Sequence, residues 1–241
     1  MTGISKGIGK AICEMLVSEG YFVHGTYNTG EKEAGGLKEK LKNVEIYQVD
    51  FTNRQKLLEL VEKLKKYQLD VIVNNAGVIH FELFDTLTID SWDDTLSVNL
   101  TAPLLICHGL RKNINRGGSI INISSTDGSS GCYASIAYSV SKAGLINLTK
   151  SLGNIFGPIN IRVNSVSPSW VGAGMDSPAV KEAVDNTPLG KIATFDEIAK
   201  VVSFLVSEKA SYINGTDITV DGGYSNVDPI LKKEAEELEK K

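Results

Sequence analysis

Tyr138 and Lys142 stand four residues apart in the stretch AYSVSKAGLINLTKSL. In a helix that spacing puts both side chains on one face. A free tyrosine, with a pKa near ~10, holds its proton too tightly for efficient transfer at neutral pH. A neighbouring ammonium favours the phenolate and lowers that value. Taken singly, such a pair reads as two surface side chains; Tyr133 shows the contrast, because the residue four places on is Ala137. A second kind of chemistry lies at the start of the chain, MTGISKGIGKAI, where Gly3, Gly7 and Gly9 lead into a helical pattern. Glycines let a backbone approach a pyrophosphate, and the free N–H groups and dipole of the following helix favour an anion. The alternative is a tight strand–helix turn with no ligand.

These groups need elements to hold them. Ile8, Ala11, Ile12, Met15 and Leu16 follow helical spacing directly after the glycine turn, and Gly20 closes that helix. YFVHGTY reads as a strand, followed by a polar, glycine-containing stretch (28–36) and a lysine-rich helix. VEIYQVD is the next strand, and RQKLLELVEKLKKY a helix with Leu57, Leu60, Val61 and Leu64 on one face. LDVIVNNAG is a nearly continuous apolar strand, as expected of a parallel strand covered on both faces. A long helix is expected from about Ile89 to Lys112, then the strand SIINIS, the Tyr138 helix, the strand INIRVNSVSP, the helix DEIAKVVSFLVS and the short strand DITV. Strands alternating with helices imply a parallel sheet with right-handed crossovers. The ending DPILKKEAEELEKK reads as a charged, solvated helical tail (226–241) behind one α/β domain (1–225).

A net charge of −4 leaves no basic surface of the kind nucleic acid needs, and no apolar run reaches the length of a membrane span. Cys13, Cys107 and Cys132 are widely spaced and read as reduced thiols in a cytoplasmic protein. His24, His80 and His108 are equally dispersed, so no metal site is expected.

TGISKGIG at the start, NNAG at 74–77, Asn99 in LSVNLTAP, Ser125 in INISS, YSVSK at 138–142, INIRVNSVSP and DITVDGG occur in an order and at separations that resemble the short-chain dehydrogenase/reductase family. The resemblance runs from Thr2 to about Tyr224 and includes the thirteen residues between Ser125 and Tyr138. It implies a Rossmann-type doubly wound parallel sheet with helices on both faces, and NAD(P)-dependent interconversion of a carbonyl and an alcohol. In that scheme Tyr138 is the general acid at the carbonyl oxygen and Ser125 hydrogen-bonds the same oxygen. Lys142 lowers the Tyr138 pKa and binds the nicotinamide ribose, and Asn99 holds a water in a proton relay. The glycine turn (Gly3, Ser5, Lys6, Gly7, Ile8, Gly9) takes the pyrophosphate. Asp50, with Phe51 beside it, meets the adenine, Asn75, Ala76 and Gly77 pass behind the adenosine ribose, and Pro168 and Val171 flank the nicotinamide.

NAD-preferring members carry an acid after the second strand for the ribose 2′-OH. Here that position is Tyr27, followed by Asn28 and Thr29, and Lys6 is available to a 2′-phosphate. NADP(H) is therefore favoured, with NAD(H) as the alternative. Two departures stand out. The family's Pro-Gly is Pro168-Ser169, and its usual threonine nearby is Ala173. Gly172 and Gly174 suggest a substrate lid over about 169–191, which with His80, Phe81, Ser129, Ser130 and Trp170 is expected to line the pocket of a small carbonyl or alcohol substrate. Acyl-carrier-protein reductases of the family are a leading comparison. Arg116 falls where they place a basic residue for the acidic carrier, whereas Ile159 takes a second such position. A non-catalytic nucleotide-binding or regulatory protein on the same fold is the competing reading. Family members pair the helices corresponding to 89–112 and 137–156, so a homotetramer or dimer is expected.

The strand that should precede the glycine turn is central in this family's sheet, yet only Met1 and Thr2 stand before Gly3. Four or five buried apolar side chains there would contribute about 1.5–3 kcal/mol each. The expectation is that further apolar residues belong ahead of Thr2, or that another segment supplies the strand.

Overall fold

The computed structural model describes residues 1–172 and 178–240. Among the described residues six parallel strands occur, β1 (Val23–Tyr27), β2 (Val44–Gln48), β3 (Leu69–Asn74), β4 (Ile114–Ile123), β5 (Arg162–Pro168) and β6 (Asp217–Val220). β1 pairs with β2, and β3, β4, β5 and β6 pair in that order. Neighbouring residues of one strand feed opposite faces. Val73, Ile121 and Val166 join Ile12, Leu16, Ile198 and Val202 in one core, whereas Ile72, Ile120 and Val163 join Leu57, Val61, Ile106 and Phe156 in the other. Burial on both sides explains why these strands read as apolar runs.

One face is covered by α1 (Gly7–Ser18) and α8 (Phe195–Val206), the other by α3 (Arg54–Leu64), α5 (Ala102–Gly109) and α6 (Ile136–Phe156). Helix α8 begins in a capping box. The Thr194 side chain accepts from the Glu197 N–H, and the Glu197 carboxylate accepts from the Thr194 N–H at 2.8 Å. α7 (Pro178–Asn186) lies within the expected lid; Ala173 and Gly174 fall outside the described residues. The tail forms α9 (Pro229–Glu239), capped by Asp228.

Three expectations change in detail. α2 (Glu31–Lys40) begins inside the stretch taken for a loop and carries Gly35 and Gly36 in its middle. The acidic Glu31 and Glu33 at its start and the basic Lys38 and Lys40 at its end complement the helix dipole. The long helix at 89–112 is three pieces, α4 (Ile89–Leu96), a π-helical turn (Ser97–Thr101) and α5, and it ends at Gly109 before a one-turn helix at Arg111–Asn113. The strand expected at 21–27 begins only at Val23, and the next ends at Gln48, two residues short of Asp50.

Between β1 and β3 the sheet opens where the resemblance places a central strand. Met1–Ile4 occupy the carboxyl end of that opening and bond to both sides: Thr2 N–H donates to Val73 O (2.9 Å), Ile4 N–H to Thr26 O (2.9 Å), and Thr26 N–H to Met1 O (3.1 Å). The amino-terminal parts of the two strands stand apart around a cavity of about 730 Å³, lined by residues including Val23, His24, Tyr47, Tyr67, Leu69 and Val71.

Candidate active site

The candidate residues gather at the carboxyl ends of β1, β3, β4 and β5, the edge at which open α/β sheets bind ligands. At its centre is the glycine turn, which the NNAG segment straps to the sheet. Asn75 N–H and Ala76 N–H both donate to Thr2 Oγ1 (2.9 Å each), and Asn75 Nδ2 donates to Thr2 O (3.0 Å) and Gly3 O (2.9 Å). Gly9 is where the turn closes most tightly, since a Cβ there would sit 1.9 Å from Gly3 O. α1 starts at Gly7 behind an exposed Lys6, so its first-turn N–H groups face outward at the turn.

The loop after β1 leans on this turn, with the Gly30 backbone so near Ser5 that an added Cβ would lie 2.6 Å from Ser5 Cβ. Tyr27 is buried and Asn28 exposed. Glu33 also approaches Gly30, its carboxylate 3.5 Å from that position. Counting only Tyr27–Thr29 overlooked this acid, which the first turn of α2 carries back toward the loop. Asp50 lies beyond its strand and accepts from Thr52 N–H (3.0 Å) and Thr52 Oγ1 (2.8 Å), with Phe51 buried beside it.

Ser125 follows β4 in extended backbone (φ −161°), caps a one-turn helix at Thr126–Gly128, and accepts the Asp127 N–H at 3.1 Å. Tyr138 lies in the first turn of α6, its phenol near enough to Ser125 for that side chain to lower its pKa. Lys142, one turn later, is buried; its Nζ donates to Ile123 O (2.8 Å) and lies 5.4 Å from the Tyr138 ring centre. Burial lowers the Lys142 pKa to about 8. Burial raises the Tyr138 pKa and outweighs the influence of Ser125, which acts the other way, while the Lys142 ammonium is engaged by Ile123 O.

Asn99 lies in the π-helical turn, a local widening that turns its side chain inward. Its Nδ2 donates to Val78 O (2.9 Å) and Ser141 Oγ (3.0 Å), and its Oδ1 accepts from Val78 N–H (2.9 Å). The amide is thus committed to fixing the Gly77–Val78 turn. A Cβ on Gly77 would lie 3.4 Å from Asn99 Oδ1 and 3.5 Å from Lys142 Nζ, so glycine leaves a gap between the NNAG strap and the Tyr138–Lys142 face. Pro168 ends β5, and Val171 forms an isolated bridge with Ala193. Phe195, which sequence reasoning missed, lies against both Gly172 and Gly7 and so joins the segment after β5 to the glycine turn.

Around the mouth, Glu82 N–H donates to Ala134 O (2.9 Å), which brings the 80–84 segment beside the 129–135 loop. His80, Phe81, Ser129 and Ser130 are exposed there, and Trp170 is half-buried. Phe81, Leu83, Phe84 and Tyr133 make this rim apolar. Arg116 is exposed at the start of β4, the end opposite Ser125, and Ile159 is half-buried. Among the described residues no cluster of metal-ligating side chains occurs, and no helix is long and apolar enough to cross a membrane.

Comparison with known proteins agrees with this geometry. The family model described as Enoyl-(Acyl carrier protein) reductase matches residues 3–225. The 3-oxoacyl-[acyl-carrier-protein] reductase FabG of Aquifex aeolicus is 38% identical over 236 residues, covering 92% of this chain and 95% of that protein. The acetoacetyl-CoA reductase of Rhizobium meliloti is 34% identical, covering 92% of this chain and 96% of that protein. Among solved structures, a short chain dehydrogenase from Burkholderia cenocepacia in complex with NADP superposes with a TM-score of 0.88 at 29% identity, covering 93% of this chain and 96% of that one. With the family's fold, its order of motifs and a family match over nearly the whole length, this chain belongs to the short-chain dehydrogenase/reductase family and is an oxidoreductase.

Proposed function

We propose that the protein is an NADP(H)-dependent carbonyl reductase acting on a 3-oxoacyl thioester or a related ketone. The observation that carries this reading is the convergence of Ser125, Tyr138 and Lys142 beside the strapped glycine turn, at one edge of the sheet. The names of its relatives, a 3-oxoacyl-acyl-carrier-protein reductase and an acetoacetyl-CoA reductase, and the NADP in the Burkholderia structure support the substrate class and the cofactor.

The residues present fit the cofactor, since Gly9 lets the turn fold tightly against Gly3, Gly77 leaves room beside Lys142, and N–H groups are free at the start of α1. Gly3, Ser5, Lys6, Gly7, Ile8 and Gly9 would hold the diphosphate; Tyr27 and Asn28 would border the adenosine ribose phosphate, with Lys6 as its counter-charge. Asp50 and Phe51 would meet the adenine, Asn75–Gly77 the ribose behind it, and Pro168 and Val171 the nicotinamide. When bound, the cofactor supplies the hydride. Ser125 Oγ then donates to the substrate oxygen and Tyr138 delivers its proton there as negative charge develops. Lys142, freed from Ile123 O or shared with it, reaches the ribose hydroxyls, and Asn99 keeps the Gly77–Val78 turn from closing on it. The raised Tyr138 pKa suits a group that must hold its proton until the oxygen needs it.

The free thiols at Cys13, Cys107 and Cys132 fit a reducing compartment, the cytoplasm. An acyl carrier protein is a further partner in this reading, with Arg116 as a basic contact outside the mouth.

The test is NADPH oxidation with acetoacetyl-CoA in the wild type and Tyr138→Phe. The variant keeps the ring and loses the O–H, so turnover falls ~10²–10⁴-fold while NADPH still binds. Near-normal turnover in Tyr138→Phe would refute the mechanism.

A further inference from the structure

Phe195, the first residue of α8, stands between two glycines. A Cβ on Gly172 would lie 2.8 Å from the ring Cζ and 3.2 Å from Cε1, and one on Gly7 would lie 3.7 Å from Cε1 and 4.0 Å from Cζ. The same end of the ring thus meets both backbones. Gly172 has φ +114° and Gly7 φ +57°, conformations that side chains rarely allow, so neither residue can fill the space itself. On its other side the ring is open. Phe195 is 38% exposed and lines a groove of about 790 Å³ with Ser5, Lys6, Lys10, Thr194 and Asp196. Gly172 is not part of that lining, so the ring separates the groove from the segment Pro168–Gly172.

The segment has other fastenings. Ser169 N–H donates to Val220 O (3.4 Å), Ala193 N–H to Trp170 O (3.0 Å) and Gly172 N–H to Ala193 O (2.9 Å). Val171, Ala193 and Ile8 pack on the core that α1 and α8 share, and the capping box and the Lys191–Glu197 ion pair fix the start of α8. The glycine turn has its own bonds from Asn75. All of these survive loss of the ring, and none of them fills the space between Gly172 and Gly7. Removing the ring therefore spares the fold and the turn, and lets groove water in beside the segment.

We propose, resting on the reductase reading, that Phe195 is a positioning residue for the nicotinamide half of the cofactor. Its ring fills the space that Gly7 and Gly172 leave and keeps water from between the diphosphate turn and Pro168–Gly172. An apolar ring suits the place because it brings no group that would compete for the free N–H groups at the start of α1.

Two nucleotides separate the halves of the site: NADPH carries both, whereas 2′,5′-ADP lacks the nicotinamide. Fluorescence titration with NADPH and calorimetric titration with 2′,5′-ADP are made on the wild type, Phe195→Ala, Phe195→Leu and Gly172→Ala, with thermal melting of each. In Phe195→Ala the NADPH affinity falls ~10-fold, the order set by the apolar contact removed, while 2′,5′-ADP changes less than ~2-fold. With acetoacetyl-CoA its kcat falls ~10-fold as the nicotinamide loses its placement. Phe195→Leu refills the space and recovers most of both. Gly172→Ala drives a methyl against the ring from the other side and gives the same split between nucleotides, even if Phe195→Ala does not fold. Equal losses for the two nucleotides, which a merely structural role would produce, overturn the proposal. So does an unchanged NADPH affinity, or a folded leucine variant no better than a folded alanine one. A wild type that shows the nucleotide split but reduces no ketone overturns the reductase reading alone, and one that binds neither nucleotide overturns both.

Discussion

Substituting Gly9→Ala tests whether the glycine turn is held as tightly as its bonds indicate. The new methyl would lie 1.9 Å from Gly3 O and 2.3 Å from Asn75 Nδ2, and neither neighbour is free to move. Gly3 O is backbone, and the Asn75 amide is engaged by Thr2 O and Gly3 O. Overpacking of this kind costs about 1–3 kcal/mol. Losing the Asn75–Gly3 hydrogen bond adds about 0.5–1.5 kcal/mol, and the sum is about 1.5–4.5 kcal/mol. In a chain of this size each kcal/mol moves the melting temperature by about 2–4 °C, so Tm should fall by roughly 3–18 °C. Gly35→Ala supplies the control with the same chemical change. Gly35 lies inside α2 with nothing within 4 Å of an added Cβ, so the substitution should raise stability by about 0.5–1 kcal/mol. Differential scanning calorimetry on both variants, with NADPH affinity by fluorescence titration, is the assay. The displaced turn should weaken NADPH by ~10-fold or more, equivalent to about 1.4 kcal/mol, whereas Gly35→Ala leaves affinity alone. A Gly9→Ala protein that melts and binds like the wild type would show that the strap does not constrain the turn.

Three further outcomes follow from the site. Tyr27→Asp places a carboxylate where the 2′-phosphate is expected, so the order of dissociation constants should change from NADPH tighter to NADH tighter; a native preference for NADH would mean that Glu33, not Lys6, governs the loop. Burial lowers the Lys142 pKa from 10.5 to about 8, so kcat/KM for reduction should fall as pH rises through about 8 and the ammonium is lost. The same shift makes the charged amine a burden on the fold, full below pH about 8 and relieved between about 8 and 10.5, where only the unfolded chain keeps the proton. Lys142→Met should therefore abolish most turnover yet raise thermal stability at pH 7, by at most about 3 kcal/mol; a lower Tm would show that the Ile123 hydrogen bond outweighs the burial. Leu104, Val140 and Ile155 leave apolar surface on α5 and α6, and light scattering at micromolar concentration should give a dimer or tetramer mass, with a monomer mass against it.

Local pattern by itself determined the alternation of strands and helices, because apolar periodicity and glycine punctuation act over a few residues. Tyr138 and Lys142 are legible as a pair for the same reason: a helix fixes their common face whatever surrounds it. Resemblance of motifs extended this to Ser125, Asn99 and the glycine turn, which are too far apart in the chain for any local rule. Tertiary structure alone decided the electrostatics. Burial depends on what packs around a group, and it raises the Tyr138 pKa and lowers that of Lys142. It also decided that Asn99 sits in a π-helical turn, that Glu33 returns to the loop after β1 and that Phe195 bridges Gly7 and Gly172. Each arises where two segments distant in sequence meet. The opening of the chain shows the division most clearly. Met1 and Thr2 read as too few for the strand before Gly3, and only the positions of β1 and β3 reveal that Met1–Ile4 bond to both, because the partners of a backbone N–H are set by the sheet and not by its own neighbours.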